Sequence, residues 1–321
     1  MKVGLVLGAG GVVGAAYHAG ALTALEQDLG WDARTAEVIV GTSAGSLIAA
    51  LLRSNVPASD LAAWTVGAPL SPDGTALADA LHPEFDPVSL RMFLRMPRMP
   101  HPQAVWSTLR NPLRFDPMRA LVTHLADDKR SLGEHIEFLG DGWPGKATFV
   151  CASRRRTGRR VVFGRSRVPD DGLPAAVAAS CAVPGYFAPV VVDGEQYIDG
   201  GIGSSTNADT VRDCDLDLVI AVSPMSTTAT LPRYSLERLL RARAGEQLRR
   251  ELSLLRRKGM RTVMLEPGEE VLSHTTADFM SEAHVNDIVA AAFLETGAQL
   301  REPERAAALA GLGPPHRHVA A

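Results

Sequence analysis

The chain alternates between short unbroken apolar runs and longer stretches whose apolar positions recur at helical spacing. Residues 2–7 and 37–40 are apolar runs of strand length. Between them, Gly8-Ala9-Gly10-Gly11-Val12-Val13-Gly14 reads as a glycine-rich turn, and 15–27 carries helical spacing through Leu22 and Leu25, with Gly30 beyond its end. Gly41-Thr42-Ser43-Ala44-Gly45 is a tight turn and 46–52 a helix. Strand, helix, strand, helix in this order predicts a parallel sheet and an α/β fold. Further strands are expected at 146–152, 159–163, 190–192, 196–198, 216–222 and 260–265, with Asp193-Gly194 as a hairpin turn. Helices are expected at 174–181, 236–257 and across most of 277–300.

Residues 67–119 break the pattern. Prolines cluster there from Pro69 to Pro117, interleaved with Phe85, Met92, Phe93, Met96, Trp106 and Phe115. A flexible linker lacks so many large apolar side chains, so the segment is expected to be an irregular cap or lid with short helices. The domain reading is one catalytic unit over 2–300, the cap embedded in it, and a disordered tail at 311–321.

The 321 residues, 46 % hydrophobic and 21 % charged, suffice for a real core. A formal net charge of −3 offers no global attraction to nucleic acid or an anionic membrane. Cys151, Cys181 and Cys214 are widely spaced and lie in or beside apolar stretches, which predicts buried free thiols. The start reads as a strand and not as a signal peptide. No stretch is long and apolar enough to span a bilayer. A cytoplasmic protein is expected, with peripheral membrane contact left open for 236–257. There Leu236, Leu239, Leu240, Leu248, Leu252 and Leu255 fall near one face and Arg238, Arg241, Arg249, Arg250, Arg256 and Arg257 supply charge. The simpler reading of that helix is one packed on the sheet with a solvated basic face. The run Arg154–Arg160 reads as a solvated hairpin tip. Asp213, Asp215 and Asp217 read as a solvated strand edge, so no metal and no cofactor are expected.

Gly41-Thr42-Ser43-Ala44-Gly45 has the Gly-x-Ser-x-Gly form. A serine on a sharp strand-to-helix turn adopts a strained backbone, and Gly41 and Gly45 remove side chains that would clash there. Ser43 is thus the candidate nucleophile. The turn from Gly8 to Gly14 suits either a dinucleotide pyrophosphate or an oxyanion hole. A dinucleotide fingerprint wants Gly-x-Gly-x-x-Gly and a carboxylate at the end of the second strand. This chain has one residue more between Gly10 and Gly14, and Gly41-Thr42-Ser43 where the carboxylate should stand. The oxyanion reading is therefore preferred, with the amides around Gly10, Gly11 and Val12 as donors. A Ser–Asp–His triad on the usual α/β-hydrolase topology needs several strands before the serine. Here one βα unit precedes it, and His274, His284, His316 and His318 sit in no recognisable strand-end loop. Asp199, at a strand end before Gly200-Gly201, is the candidate base; its plainer reading is a turn former.

Together these residues resemble the patatin-like phospholipase family. The order is the family's: a glycine-rich turn after the first strand, Gly-x-Ser-x-Gly after the second, and Asp-Gly-Gly far downstream. Residues 179–190, Ala-Ser-Cys-Ala-Val-Pro-Gly-Tyr-Phe-Ala-Pro-Val, are similar to the family's block before its aspartate. The resemblance covers residues 2–207. It implies a three-layer α/β/α fold, a Ser43–Asp199 dyad without histidine, and hydrolysis of acyl esters of phospholipids or neutral lipids. The chain departs from the family at Val13, where Arg or Lys is usual, and at Ala9, where the family has its first glycine. Two other readings stay open: an esterase or transacylase for small acyl compounds with the same dyad, and a non-catalytic ligand- or dinucleotide-binding protein.

Overall fold

A computed structural model describes residues 1–72, 74, 75, 136, 139, 140, 142–165, 168–232, 235–275 and 278–312. Most of the expected cap, from 76 to 119, and the tail from 313 onward lie outside the described residues.

The described residues form one eight-stranded sheet. Its strands are β1 (Val3–Leu7), β2 (Val38–Thr42), β3 (Ala147–Arg154), β4 (Arg160–Phe163), β5 (Val190–Val192), β6 (Glu195–Asp199), β7 (Leu218–Val222) and β8 (Arg261–Leu265). The helices are α1 (Gly11–Leu29), α2 (Ala44–Arg53), α3 (Ala58–Thr65), α4 (Gly172–Ser180), α5 (Leu236–Arg256), α6 (Glu269–Ser273), α7 (Val285–Leu300) and α8 (Pro303–Leu309). The hydrogen-bonded order is β5-β6-β3-β2-β1-β7-β8, with β4 also on β3. Every pairing among β3, β2, β1, β7 and β8 is parallel, whereas β4 and β6 run antiparallel to β3.

The apolar runs are strands because both faces of the sheet are covered. Successive side chains of a strand point to opposite faces. Leu5, Leu7, Ile39, Leu218, Ile220 and Val222 pack with α1, α2 and α7 on one side. Val6, Val38, Val40, Val219 and Ala221 pack on the other side with Leu248, Leu252 and Leu255 of α5. The result is the three-layer α/β/α arrangement that the sequence led us to expect.

Several boundaries differ from expectation. The first helix begins at Gly11 and not at 15, so the glycine turn runs directly into it. Residues 278–284 are not helical; α7 starts at Val285, with His284 as its left-handed N-cap (φ 63°). Helices α3, α6 and α8 were not foreseen. In α5 the expected apolar face is only partly buried. Leu248, Leu252 and Leu255 are fully buried, but Leu239 is 66 % exposed and Arg241, expected on the solvated face, is 1 % exposed. Cys151 and Cys181 are buried free thiols; Cys214 is only half-buried.

Candidate active site

Three turns meet at the carboxyl ends of the parallel strands. β1 and β2 are adjacent and parallel, with Leu7 opposite Gly41, so the glycine turn after β1 and the serine turn after β2 lie side by side. Their approach is too close for a side chain. A Cβ on Gly45 would stand 2.1 Å from the Leu7 carbonyl oxygen, and one on Gly41 would stand 2.4 Å from the Ser46 Cα. Ser43 itself takes φ 52°, ψ −126° immediately before α2. That left-handed φ is costly for a residue with a Cβ and persists only where its surroundings enforce it. Here the Ser43 N–H donates to Ser180 Oγ at 2.9 Å, and Ser180 in turn donates to the Cys151 carbonyl at 2.6 Å. Ser46 Oγ donates to the Ser43 carbonyl at 2.7 Å.

The register of β3 brings Asp199 to this turn. Val150 and Cys151 pair with β4 as well as β2, while Ala152 and Ser153 pair with β4 as well as β6. A strand has two edges, so β2 and β6 occupy the same edge of β3, one after the other. Thr42 lies opposite Cys151 and Asp199 opposite the next residue, Ala152. The two strands therefore end head to head, and Ser43 and Asp199 leave them at the junction. Gly200 fits there because a Cβ would lie 2.1 Å from the Cys151 carbonyl oxygen.

Asp199 is 5 % exposed and Ser43 likewise 5 %. Burial pushes the Asp199 carboxyl up to about 6, against the opposing pull of the nearby Ser43 hydroxyl and of the Gly201 amide. The Gly201 N–H donates to Oδ1 at 2.6 Å, while Oδ2 is buried without a hydrogen-bond partner among the described residues. A carboxylate this poorly solvated is a stronger base than one in water.

The glycine turn presents its amides selectively. Gly8 N–H donates to the Val222 carbonyl, Ala9 to Ser205, Val13 to Phe279 and Gly14 to Gly10. The amides of Gly10, Gly11 and Val12 take no acceptor among the described residues. They stand at the N-terminus of α1, where the helix dipole favours negative charge. Gly10 packs against Gly14, where a Cβ would lie 2.6 Å from the Gly14 Cα. Gly11 has φ 61°, and a Cβ there would stand 2.5 Å from the Phe279 carbonyl oxygen. Gly201 faces Ala9, and a Cβ on Gly201 would lie 3.1 Å from the Ala9 Cβ. The structure thus gathers Gly8, Gly10, Gly11, Val12, Gly14, Gly41, Ser43, Gly45, Asp199, Gly200 and Gly201 into one region.

Supporting roles went unread in the sequence, although Ser180 lies in the 179–190 block. Besides Ser180, Glu251 of α5 accepts from Ser204 Oγ (2.6 Å), Thr206 Oγ1 (2.9 Å) and the Ala208 N–H (2.8 Å), tying down the segment after Asp199. Arg241 donates to the Pro224 carbonyl at 2.8 Å and lies 5.5 Å over the Phe279 ring. Pro224 is packed against Gly10 and Gly14. Neither Glu251 nor Arg241 stands in a motif; only their spacing on α5 could have flagged them. His18 is buried behind the turn, with Nε2 2.8 Å from the Gly8 carbonyl oxygen, and desolvation lowers its pKa to about 4. It remains a neutral donor to that carbonyl at ordinary pH.

The other sequence readings find plainer roles. Arg160 pairs with Asp209, and Arg154 with Glu195, on the β3–β4 hairpin. Asp215 pairs with Lys2, and Asp213 with Arg165 and Arg212. No helix among the described residues is long and apolar enough to cross a membrane.

The family model described as patatin-like phospholipase matches residues 5–212. Among solved structures, the crystal structure of VipD from Legionella pneumophila aligns with 93 % of this chain and 67 % of its own at 12 % identity, with a TM-score of 0.38.

Proposed function

Since the chain belongs to the patatin-like phospholipase family, we propose that it is a lipid acyl-ester hydrolase in which Ser43 attacks the ester carbonyl and Asp199 takes the serine proton. Ester hydrolysis on lipid substrates is the activity of this family; the residue roles are our reading. The observation that carries it is the meeting of Ser43 with a buried, poorly solvated carboxylate at the junction of β2 and β6.

As Ser43 Oγ bonds to the carbonyl carbon, its proton passes to Asp199 and the carbonyl oxygen becomes an oxyanion. The amides of Gly10, Gly11 and Val12 receive that oxyanion, aided by the α1 dipole. Collapse breaks the ester C–O bond, and the Asp199 proton goes to the leaving alcohol. Water then attacks the acyl-serine, giving its proton to Asp199, which returns it to Ser43 as the fatty acid departs. Val13 adds no charge at this turn, so the backbone donors carry the stabilisation. Removing one such donor from an acyl-transfer site typically costs roughly 100- to 1,000-fold in turnover. Residues 2–300 serve as one catalytic domain in this scheme.

The test is hydrolysis of a mixed-chain phosphatidylcholine in vesicles and of a short-chain p-nitrophenyl ester. Wild type is expected to cleave the phospholipid, and Ser43→Ala and Asp199→Asn to lose cleavage while remaining folded. Activity retained in Ser43→Ala would refute the mechanism. Cleavage of the soluble ester alone would replace the lipid reading with a small-molecule esterase.

A further inference from the structure

Outside the serine site, α6 and α7 bring a second group of chemically capable side chains together. His274 caps the end of α6, and His284 caps the start of α7. The two rings lie with centroids 6.4 Å apart. Asp287 stands three residues into the same helix face as His284. One ligand atom from each of His274, His284 and Asp287 lies within 4.8 Å of the others. Glu270, one helical turn before His274, adds a carboxylate oxygen 3.3 Å from His274 Nε2, and Asp287 Oδ2 is 3.2 Å from His284 Nδ1.

These lengths have a chemical reading. Zinc holds imidazole nitrogens and carboxylate oxygens at about 2.0–2.2 Å in a tetrahedron, which sets neighbouring ligand atoms roughly 3.3 Å apart. Two edges of such a tetrahedron are already near that length. Rotation of the His284 and Asp287 side chains, which are 57 % and 54 % exposed, would close the distance between the two pairs. Two imidazoles with one or two carboxylates select a zinc-like ion over calcium or magnesium, which prefer all-oxygen shells. The positive end of α7 opposes a cation there, and the charges of Asp287 and Glu270 offset it.

We propose that His274, His284 and Asp287, with Glu270 as a fourth ligand, bind a divalent transition-metal ion of the zinc type, which clasps the end of α6 to the start of α7. Residues 278–283, which lead into α7, form the wall over the glycine turn. The Phe279 carbonyl accepts the Val13 N–H at 3.1 Å and presses against Gly11, where Met280 Sδ also approaches. Asp278 accepts from Tyr186 Oη at 3.4 Å and from the Met280 N–H at 2.9 Å. An ion at the start of α7 therefore fixes the wall against the oxyanion amides. This consequence for hydrolysis rests on the function proposed above; binding of the ion does not.

The experiment uses the full chain without a histidine tag, titrated calorimetrically with Zn2+ in metal-free buffer and spectroscopically with Co2+. One ion per chain is expected, with the intense visible bands of tetrahedral Co2+. His274→Gln and His284→Asn should each weaken binding more than about 10-fold, the loss seen even when groups that merely support a ligand are removed. Asparagine is chosen at 284 because it tolerates the left-handed backbone there. Zn2+ should raise the melting temperature of wild type and leave the double variant unmoved. Absence of saturable binding, or equal affinity in the double variant, overturns the site. Zinc should change ester turnover in wild type and not in the double variant; turnover indifferent to zinc in both overturns the clasp. The binding arms read out even if the chain cleaves no ester, so the two proposals fail separately.

Discussion

Replacing Asp199 by asparagine separates a catalytic carboxylate from a structural turn former, because the two roles predict opposite effects on stability. Burial raises the Asp199 carboxyl from 3.8 to about 6. Below about pH 4 the group is protonated in both folded and unfolded chains and costs the fold nothing. As pH rises toward 6 the unfolded chain releases its proton while the folded chain keeps it, so stability falls. The loss is complete once pH passes the folded value. A shift of about 2 units corresponds to roughly 3 kcal/mol at about 1.4 kcal/mol per unit. The nearly complete burial of Asp199 leaves little solvent screening to reduce it. The asparagine variant carries no such penalty, because its side chain does not ionise. Its amide oxygen can still accept the Gly201 N–H now at 2.6 Å from Oδ1, and its NH2 can donate toward Ser43. Urea unfolding should therefore show Asp199→Asn close to wild type near pH 4 and more stable by about 3 kcal/mol near pH 8, while ester turnover falls roughly 100- to 10,000-fold, the usual worth of a general base. A variant less stable at every pH, or a stability difference that ignores pH, would refute the claim that Asp199 is held as a poorly solvated base.

The acid limb of kcat/KM should inflect near 6 as Asp199 loses its proton, and no inflection should trace to His18, whose burial keeps it neutral down to about 4; a bell governed by an imidazole would contradict the dyad. Ser180→Ala removes the acceptor of the Ser43 N–H and the donor to Cys151, and should cost about 1–3 kcal/mol in urea unfolding together with a fall in turnover. Gly11→Ala combines a left-handed φ with a Cβ 2.5 Å from the Phe279 carbonyl oxygen; strain of about 1–2 kcal/mol and loss of ester turnover are expected, and an active, unstrained variant would show that the wall can retreat.

What the sequence made legible follows from how local each cause is. Gly41 and Gly45 are required by contacts within one strand–turn–helix unit, and that unit is written in consecutive residues. The apolar runs of β1, β2 and β7 needed only the two-sided cover that a parallel sheet imposes. The start of α1 was misplaced because so many glycines between 8 and 14 suggest a turn alone, whereas Gly10 and Gly14 cross closely enough to let the helix begin at Gly11. The meeting of Asp199 with Ser43 depends on the register of β3, which no local pattern encodes; the strand-end Asp199-Gly200-Gly201 and the resemblance to a family pointed to the residue, not to the contact. Ser180 and Glu251 look like ordinary helix residues until the segments they join are brought together. Arg241 looked like surface charge, yet the N-terminal half of α5 turns it inward onto Pro224 and Phe279 and leaves Leu239 exposed. The expected cap lies mostly beyond the described residues.

The central claim is that Ser43 is the activated nucleophile, and covalent labelling tests it most directly. A fluorophosphonate probe followed by peptide mapping should mark Ser43 in wild type, mark nothing in Ser43→Ala, and label Asp199→Asn much more slowly. Labelling of another residue, or of Ser43→Ala as fast as wild type, would contradict the account.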